Sequence, residues 1–495
     1  MARRKYVLSV DQSTQGTKAL LFSEEGALLC RADRPHRQIT NERGWVEHDP
    51  EEIYGNTLKV IQDLVEKAGI DRSELAVLGI SNQRETSVCW DRTTGKPVCN
   101  AIVWQCARAA ELCAGLESAG YGKRVQQKTG LPLSPYFPAG KLAWIFQNVE
   151  GTAERARRGE LAVGTVDSWL VYRLTGGRRH QTDYSNASRT QLFNLRTLTW
   201  DPELLAIFGI APQCMAEITD SDGDFGETDL EGWLEHPIPI RGVLGDSHGA
   251  LLGQGCLDPG MVKATYGTGS SIMMNIGEAP AWSRQGLVTS LAWKLRGRVN
   301  YVLEGNINYT GAVITWLKDD LGLISSPGET EAMARQASPA DRTYLVPAFS
   351  GLGAPYWDSS ARASLSGMSR TTGRNEIVRA ALDCIAYQIT DIVEAMRKSA
   401  KMHIAELRVD GGPTRNAYLM QFQSDLLGIP VRVPDQEELS GIGAAYAAGM
   451  AAGLYDEKIF TLLKRREYLP AMEDRTRKAR VEGWREAVNK VRHAE

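Results

Sequence analysis

The sequence predicts an α/β protein built in two halves. Three observations carry that prediction. Short apolar strand patterns alternate with long helical ones. The chain has 495 residues, well beyond what a single core of ordinary size serves. One hairpin pattern occurs near the start and again near the middle. Tyr6–Val10, Ala19–Phe22, Val77–Ile80, Ser87–Trp90, Ile240–Leu244, Met261–Tyr266, Ile272–Asn275, Leu407–Val409 and Val431–Val433 read as strands. Pro50–Ala68, Glu376–Ala400 and Arg415–Leu427 carry helical periodicity.

The first hairpin is VLSVDQSTQGTKALLF, Val7 to Phe22. It runs apolar, then polar, then apolar: strand, small-residue turn, strand. The polar part crowds Asp11, Ser13, Thr14, Gly16, Thr17 and Lys18 together, more than a turn needs. Its backbone N–H groups, hydroxyls and ammonium are donors suited to phosphate oxygens. Asp11 suits Mg²⁺, held through water and bridging to those phosphates. A plain polar hairpin is the competing reading. VKATYGTGSSIMMN, Val262 to Asn275, repeats the pattern without the acid. Two such turns facing each other across a cleft would make a phosphate clamp. The repetition divides the chain near residue 255, into 1–254 and 255–495.

Composition narrows the function classes. The net charge is −3 and no long basic run appears, so neither nucleic acid nor an anionic membrane is expected as a partner. The start, MARRKYVLSVDQ, is too briefly apolar for a secretory signal. The uncharged run Gly441–Tyr455 is too short, and too rich in Gly and Ala, to span a bilayer. It reads as a small-residue helix packed close to something. The eight cysteines form no C-x-x-C pair. Cys99, Cys106 and Cys113 are evenly spaced but lack a His or carboxylate cluster, so reduced thiols of a cytoplasmic protein are expected rather than a metal site.

No G-x-x-x-x-G-K-[ST], no G-x-G-x-x-G opening a helix after a strand, no H-R-D and no H-E-x-x-H occurs, which disfavours P-loop, Rossmann, protein-kinase and zincin chemistry. Three other stretches stand out. LRVDGGPTRN, Leu407 to Asn416, is a strand, a double-glycine turn and a helix start. Glycine lets backbone approach a flat ligand, and a helix N-terminus favours phosphate. Gly245-Asp246-Ser247-His248-Gly249 follows an apolar strand. Asp246 is either a helix cap or a general base at a strand's C-terminal end, where α/β ligand sites lie; His248 reads as structural. Asn82-Gln83-Arg84-Glu85-Thr86 sits between two strands. Adjacent Arg and Glu match vicinal hydroxyls, each of which donates and accepts, or else form a surface ion pair. Trp104 and Tyr136 offer an apolar wall for C–H faces, or fill a core.

Taken together, the chain resembles the FGGY carbohydrate kinases, and runs closest to the branch of that family that acts on glycerol. The resemblance extends from about Tyr6 to about Tyr455. VDQSTQGTKA, GISNQRET, AIVWQCAR, SPYFPAGKLAW, GTVDSWLVYRLTGG, TDYSNASRTQLFN, GDSHGALLGQG, TYGTGSS, VPAFSGLGAPYWD and VDGGPTRNAYLMQFQSDLLG carry it, in order. It implies two actin-like (ribonuclease H-like) domains with an active-site cleft between them, ATP and Mg²⁺ as cofactors, and a homo-oligomer, dimer or tetramer. By position, Asp11 falls on the family's metal-site acid. Thr14 and Lys18 fall on phosphate contacts, Lys18 where Arg is usual. Thr268, Gly311, Gly412 and Asn416 fall on nucleotide contacts, while Thr315 replaces a Gln that touches the nucleotide. Arg84, Glu85, Trp104, Tyr136 and Asp246 fall on the polyol site, with Asp246 as catalytic base.

Two pocket positions depart from the family pattern. Ser247 stands where Gln is usual and Ser271 where Phe is usual. Both enlarge the pocket, and the second makes it more polar. Two acceptors therefore stay open: glycerol, or a larger four- or five-carbon polyol or ketose such as erythritol, xylulose or ribulose. The Arg84-Glu85 pair favours glycerol over a pentulose. Two other classes are weighed against a kinase. A non-catalytic sugar and nucleotide sensor has no need of both Asp11 and Asp246, and no helix-turn-helix pattern precedes Tyr6. An actin-like filament former has no use for the Arg84, Glu85, Trp104 and Tyr136 set.

Overall fold

The structure is a computed structural model of the chain and describes residues 5–283 and 285–492. The basic start read above for a signal, Met1–Arg4, lies outside the described residues. Two large sheets organise the molecule. The first contains β1 (Tyr6–Gln12), β2 (Gly16–Phe22), β3 (Leu28–Pro35), β4 (Leu75–Asn82), β5 (Glu227–Thr228) and β6 (Ile238–Gly245), in the order β5-β6-β4-β1-β2-β3. The second contains β7 (Val262–Tyr266), β8 (Ser270–Gly277), β9 (Val288–Leu295), β10 (Arg298–Ile307), β11 (Leu407–Asp410), β12 (Val431–Pro434) and β13 (Arg465–Tyr468), in the order β9-β10-β8-β7-β11-β12-β13.

The loose echo in the sequence is a repeat of topology. β1, β2 and β3 form an antiparallel meander, and β4 then β6 add on in parallel beside β1. β7, β8 and β10 form the second meander, and β11 then β12 add on in parallel beside β7. These are the two actin-like halves of an α/β fold. Their central strands are buried on both faces, which is why YVLSV, LAVLGI and GVL read as near-continuous apolar runs. In β1–β2 the pairs are Asp11 with Lys18 and Gln12 with Thr17. The turn is therefore only Ser13 to Gln15, with the Ser13 N–H donating to Gly16 O at 2.8 Å. The long polar stretch in the sequence is two strand ends rather than one large turn.

Helix ends follow local chemistry. α1 (Pro50–Ala68) starts with Asp49 accepting from Glu51 N–H at 2.9 Å and Pro50 at its first position, and ends at Gly69 in the left-handed region. α2 (Asp246–Gly253) follows β6 directly. α3 (Arg374–Ala400) is the long helix under the second sheet. α4 (Ala417–Leu427) opens two residues later than its periodicity predicts, because Asn416 is its cap and accepts from Leu419 N–H at 3.0 Å.

The small-residue helix expected from the Gly441–Tyr455 run is α5 (Leu439–Ala451). It belongs to the second half of the chain but packs on β1, β4 and β6 of the first, and on α2. Contact is backbone to backbone: a Cβ on Gly443 would lie 1.9 Å from Gly249 O, and one on Gly79 would lie 2.5 Å from Ala444 O. Only glycine fits there, and the two halves are locked together along that seam. Among the described residues, no helix is long and apolar enough to cross a membrane, and no cluster of His, Cys, Asp and Glu could hold a metal on its own. The cysteines are all free.

Candidate active site

The register of the first sheet brings three separate motifs to one edge. Asp11 pairs with Ser81 across β1–β4, and Gly245 pairs with Asn82 across β6–β4. Asp11, the Asn82–Thr86 segment and Asp246 therefore share the C-terminal ends of adjacent parallel strands, the usual place for α/β ligand sites. The second sheet faces them with Ser271 on β8 and Glu304 on β10. Glu85 has φ = 60°, a left-handed backbone that a glutamate adopts only at a cost. That cost is stored where the chain leaves β4 for the strand Ser87–Asp91 of a separate five-stranded sheet, with two adjacent charged side chains buried at the turn.

Those charges form a buried chain. Arg84 donates from Nη1 to Glu304 Oε2 at 3.1 Å and from Nη2 to Glu304 Oε1 at 2.8 Å. Its Nε lies 3.2 Å from Asp246 Oδ1 and 4.0 Å from Glu85 Oε2. Arg189 donates from Nε to Glu85 Oε1 at 2.6 Å. Its Nη1 stands 2.8 Å from Glu304 Oε2, an ion pair whose N–H points past the oxygen rather than at it. Burial works against a charged Glu304, but Arg189 and then Arg84 outweigh it and hold the carboxyl well below the usual range. Burial likewise opposes the Arg84 charge, and Glu304, Glu85 and Asp246 override it. The Arg84-Glu85 pair is thus not the exposed bridge one reading of the sequence allowed.

Glu304 and Arg189 were not singled out in the sequence. Arg189 lies in TDYSNASRTQLFN, a motif that carries the family resemblance. Glu304 interrupts the apolar strand YVLEGNI, and an acid in such a strand is a signal for a buried partner.

Asp246 differs from its neighbours. Its side chain is 36% exposed. Oδ1 accepts from Ser247 N–H at 2.6 Å, and Oδ2 bonds nothing among the described residues. The cap of α2 is Gly245, so Asp246 does not fill the capping role. His248 is fully buried with Nε2 3.5 Å from Ser290 Oγ, and burial, then Arg84, push its pKa well below the ordinary value. It stays neutral and structural.

Trp104 and Tyr136 meet edge to face at 5.6 Å, and Trp104 Nε1 donates to Thr14 Oγ1 at 3.0 Å. This bond ties the aromatic pair to the first turn. Lys141 Nζ is buried behind them and donates to the Pro135 and Tyr136 carbonyls, with burial lowering its pKa to about 7. Ser247 is half-buried at the start of α2. Ser271 donates to Glu304 Oε1 at 3.1 Å, so its hydroxyl turns into the wall instead of remaining free in the pocket.

At the end of β1, Asp11 is buried, and its Oδ1 has no hydrogen-bond partner. Burial raises its pKa to about 6 against the opposing pull of Lys18. Lys18 does not point freely at the turn: Nζ lies 2.7 Å from Glu438 Oε2, and Arg31 bonds the other oxygen of Glu438. The second turn does gather its expected residues. Gly311 N–H donates to Gly267 O at 2.9 Å, and Thr310 and Ala312 N–H donate to Thr268 O at 2.9 and 3.1 Å. Gly411 has φ = 100° and a Cβ there would lie 2.0 Å from Tyr266 O, which lays the Gly411-Gly412 loop against the same turn. Asn416 is engaged within its own surroundings. Its Oδ1 caps α4 and its Nδ2 donates to Thr330 Oγ1 at 3.1 Å. Thr315 Oγ donates to Gly311 O at 3.3 Å, within its own helix.

Residues 6–253 match the FGGY family of carbohydrate kinases, N-terminal domain, and residues 262–452 match its C-terminal domain. Glycerol kinase 1 of Thermotoga maritima is 49% identical over 489 residues, 98% of this chain and 99% of that protein. Glycerol kinase of Chromobacterium violaceum is 48% identical over 488 residues, 98% of this chain and 97% of that one. Among solved structures, Plasmodium falciparum glycerol kinase with ADP superposes with a TM-score of 0.93 at 34% identity, over 99% of both chains. A ligand-bound xylulose kinase from Lactobacillus acidophilus reaches a TM-score of 0.89 at 23% identity over 98% of both chains, a likeness of fold.

Proposed function

The chain belongs to the FGGY family of carbohydrate kinases, and we propose that it transfers the γ-phosphoryl group of ATP to a primary hydroxyl of glycerol. The observation that carries the reading is Asp246. Of the three acids around Arg84 it is the exposed one, with an oxygen left unbonded, at a strand's C-terminal end. Arg84 Nε orients it from the other side. A base so placed takes the proton of the attacking hydroxyl. Glu85 keeps Oε2 to accept from a neighbouring hydroxyl, since Arg189 occupies Oε1. Trp104 and Tyr136 cover the C–H face.

The residues present fit a divalent cation beside Asp11: a buried carboxylate oxygen lacks a partner, and burial of its charge is a cost a cation would remove. Mg²⁺ held there, through water, would neutralise charge on the transferring phosphoryl group. Backbone N–H groups of the first turn, with Thr14, and the second turn, with Thr268 and closed by Gly311 through Gly267 O, hold phosphate oxygens. The Gly411-Gly412 loop lets the flat base approach. In this reading residues 1–254 carry the polyol site and first turn, and 255–495 carry the nucleotide site, with Ser271 and Glu304 reaching across.

Glycerol is favoured by relatives at 48–49% identity over nearly the whole chain. The small Ser247 and Ser271 side chains favour the second reading, a four- or five-carbon acceptor. Coupled ADP release across glycerol, erythritol, xylitol, D-xylulose and L-ribulose decides. Highest kcat/KM with glycerol supports the proposal. A larger acceptor in first place replaces the substrate but keeps the kinase. Turnover with none leaves a sensor. A cytoplasmic homo-oligomer accompanies the reading, and light scattering at working concentration tests the assembly.

A further inference from the structure

Glu304 has no place in the polyol site read from the sequence, yet it holds that site together. Its side chain is completely buried. It accepts from Arg84 Nη1, Arg84 Nη2 and Ser271 Oγ, and pairs with Arg189 Nη1. A carboxylate offers about four lone-pair sites. Three are filled by hydrogen bonds, Arg189 Nη1 stands against the oxygen that carries the fourth, and the carboxylate is out of reach of solvent, so Glu304 is not itself a ligand.

What it does is hold two guanidiniums at one carboxylate. Arg84 is planar, and with both terminal nitrogens fastened to Glu304 only its Nε edge is left to face Asp246 and Glu85. Arg189, drawn to the same carboxylate, puts its Nε on Glu85 Oε1 and leaves Oε2 without a hydrogen bond, 4.0 Å from Arg84 Nε. Asp246, Arg84, Glu304, Arg189 and Glu85 form one continuous chain. The two acceptor-binding acids lie at its ends and Glu304 lies at its centre. It comes from β10 of the second sheet, whereas the other four come from the first half of the chain.

We infer that Glu304 is the positioning residue of the acceptor site: through Arg84 and Arg189 it sets the orientation of Asp246 and Glu85 toward the substrate hydroxyls. The inference rests on the kinase reading above. Glu304→Gln keeps the shape and removes the charge that the two guanidiniums share. They then turn to Asp246 and Glu85 and tie up the oxygens the substrate needs.

The test is steady-state kinetics of the full chain, varying acceptor and ATP separately. Glu304→Gln is expected to raise the acceptor KM roughly 10²-fold, the scale of a misplaced site group, while the ATP KM moves less than about twofold. Glu304→Asp, which keeps the charge, is expected to recover about tenfold of that loss. A purely structural residue would shift both KM values together. An unchanged acceptor KM, or an ATP KM that rises in step, overturns the inference while the wild-type chain still works. A wild-type chain that phosphorylates no acceptor overturns the kinase reading and the inference with it. Should Glu304→Gln fail to fold, Ser271→Ala carries the test. It removes one donor to Glu304 and no charge, and is expected to raise the acceptor KM about tenfold; no change there overturns the inference.

Discussion

Lys18 Nζ and Glu438 Oε2 lie 2.7 Å apart, joining a strand of the first sheet to the residue that precedes α5. The ammonium that would meet phosphate is already engaged. Nucleotide must compete with Glu438 for it, and the two variants of this pair should act in opposite directions. Lys18→Met is expected to raise the ATP KM about tenfold, the loss of one charged hydrogen bond. Glu438→Gln is expected to lower it, by up to about fivefold, because Lys18 is one-third exposed and such a pair is worth little more than about 1 kcal/mol. Initial rates at saturating acceptor read both. A Glu438→Gln variant with a higher ATP KM than wild type refutes the competition.

Asp246→Asn keeps the shape of the site and removes the base. A general base contributes roughly 10²–10⁴-fold, so kcat should fall by that order. ADP affinity, measured by calorimetry, should stay within about twofold, because no contact to the second turn or the Gly411-Gly412 loop involves Asp246. Near-normal turnover in this variant removes Asp246 from the chemistry.

The limits of the sequence have physical causes visible in these residues. β1, β4 and β6 were legible because strands buried on both faces need unbroken apolar runs. α1 was legible because Asp49, Pro50 and Gly69 mark its ends. The turn after β1 read too long because strands that end at a cleft carry polar residues where a buried strand would not. The capping role of Asn416 was not read because one residue type serves both as helix cap and as ligand contact. Glu304 was out of reach: it lies 220 residues from Arg84, and their meeting depends on how two sheets face each other, which no local pattern encodes. The same holds for Lys18 and Glu438, 420 residues apart.

Asp391 on α3 offers a pH test away from the cleft. Tyr356 Oη and Trp484 Nε1 both donate to its Oδ2, at 2.8 and 2.7 Å. Burial pushes its pKa from the ordinary 3.8 to about 6, against those two donors. The folded chain therefore holds this proton more tightly than the unfolded chain does. Stability falls as pH rises from about 4 through about 6, and the full cost stands above 6. Asparagine accepts the same two bonds through one oxygen and does not titrate. Between pH 4.5 and 7.5, Asp391→Asn should gain about 2 kcal/mol on wild type in urea unfolding. A difference independent of pH contradicts the raised pKa.

Ser271→Phe tests what the pocket wall selects. The serine is small, and a ring in its place would take up more space beside Glu304 and Arg84. It also donates to Glu304, and phenylalanine loses that bond, so every acceptor should bind less well. The ratio between acceptors separates the two effects, because the lost bond weakens all of them alike while the ring excludes only the longer ones. One carbon unit in a shaped pocket is worth about 1–3 kcal/mol. The kcat/KM ratio of erythritol to glycerol should therefore fall at least roughly tenfold in Ser271→Phe, and that of xylitol to glycerol further. If both ratios stay at their wild-type values, the space beside Ser271 is not where acceptor length is read, and Ser247 becomes the position to change.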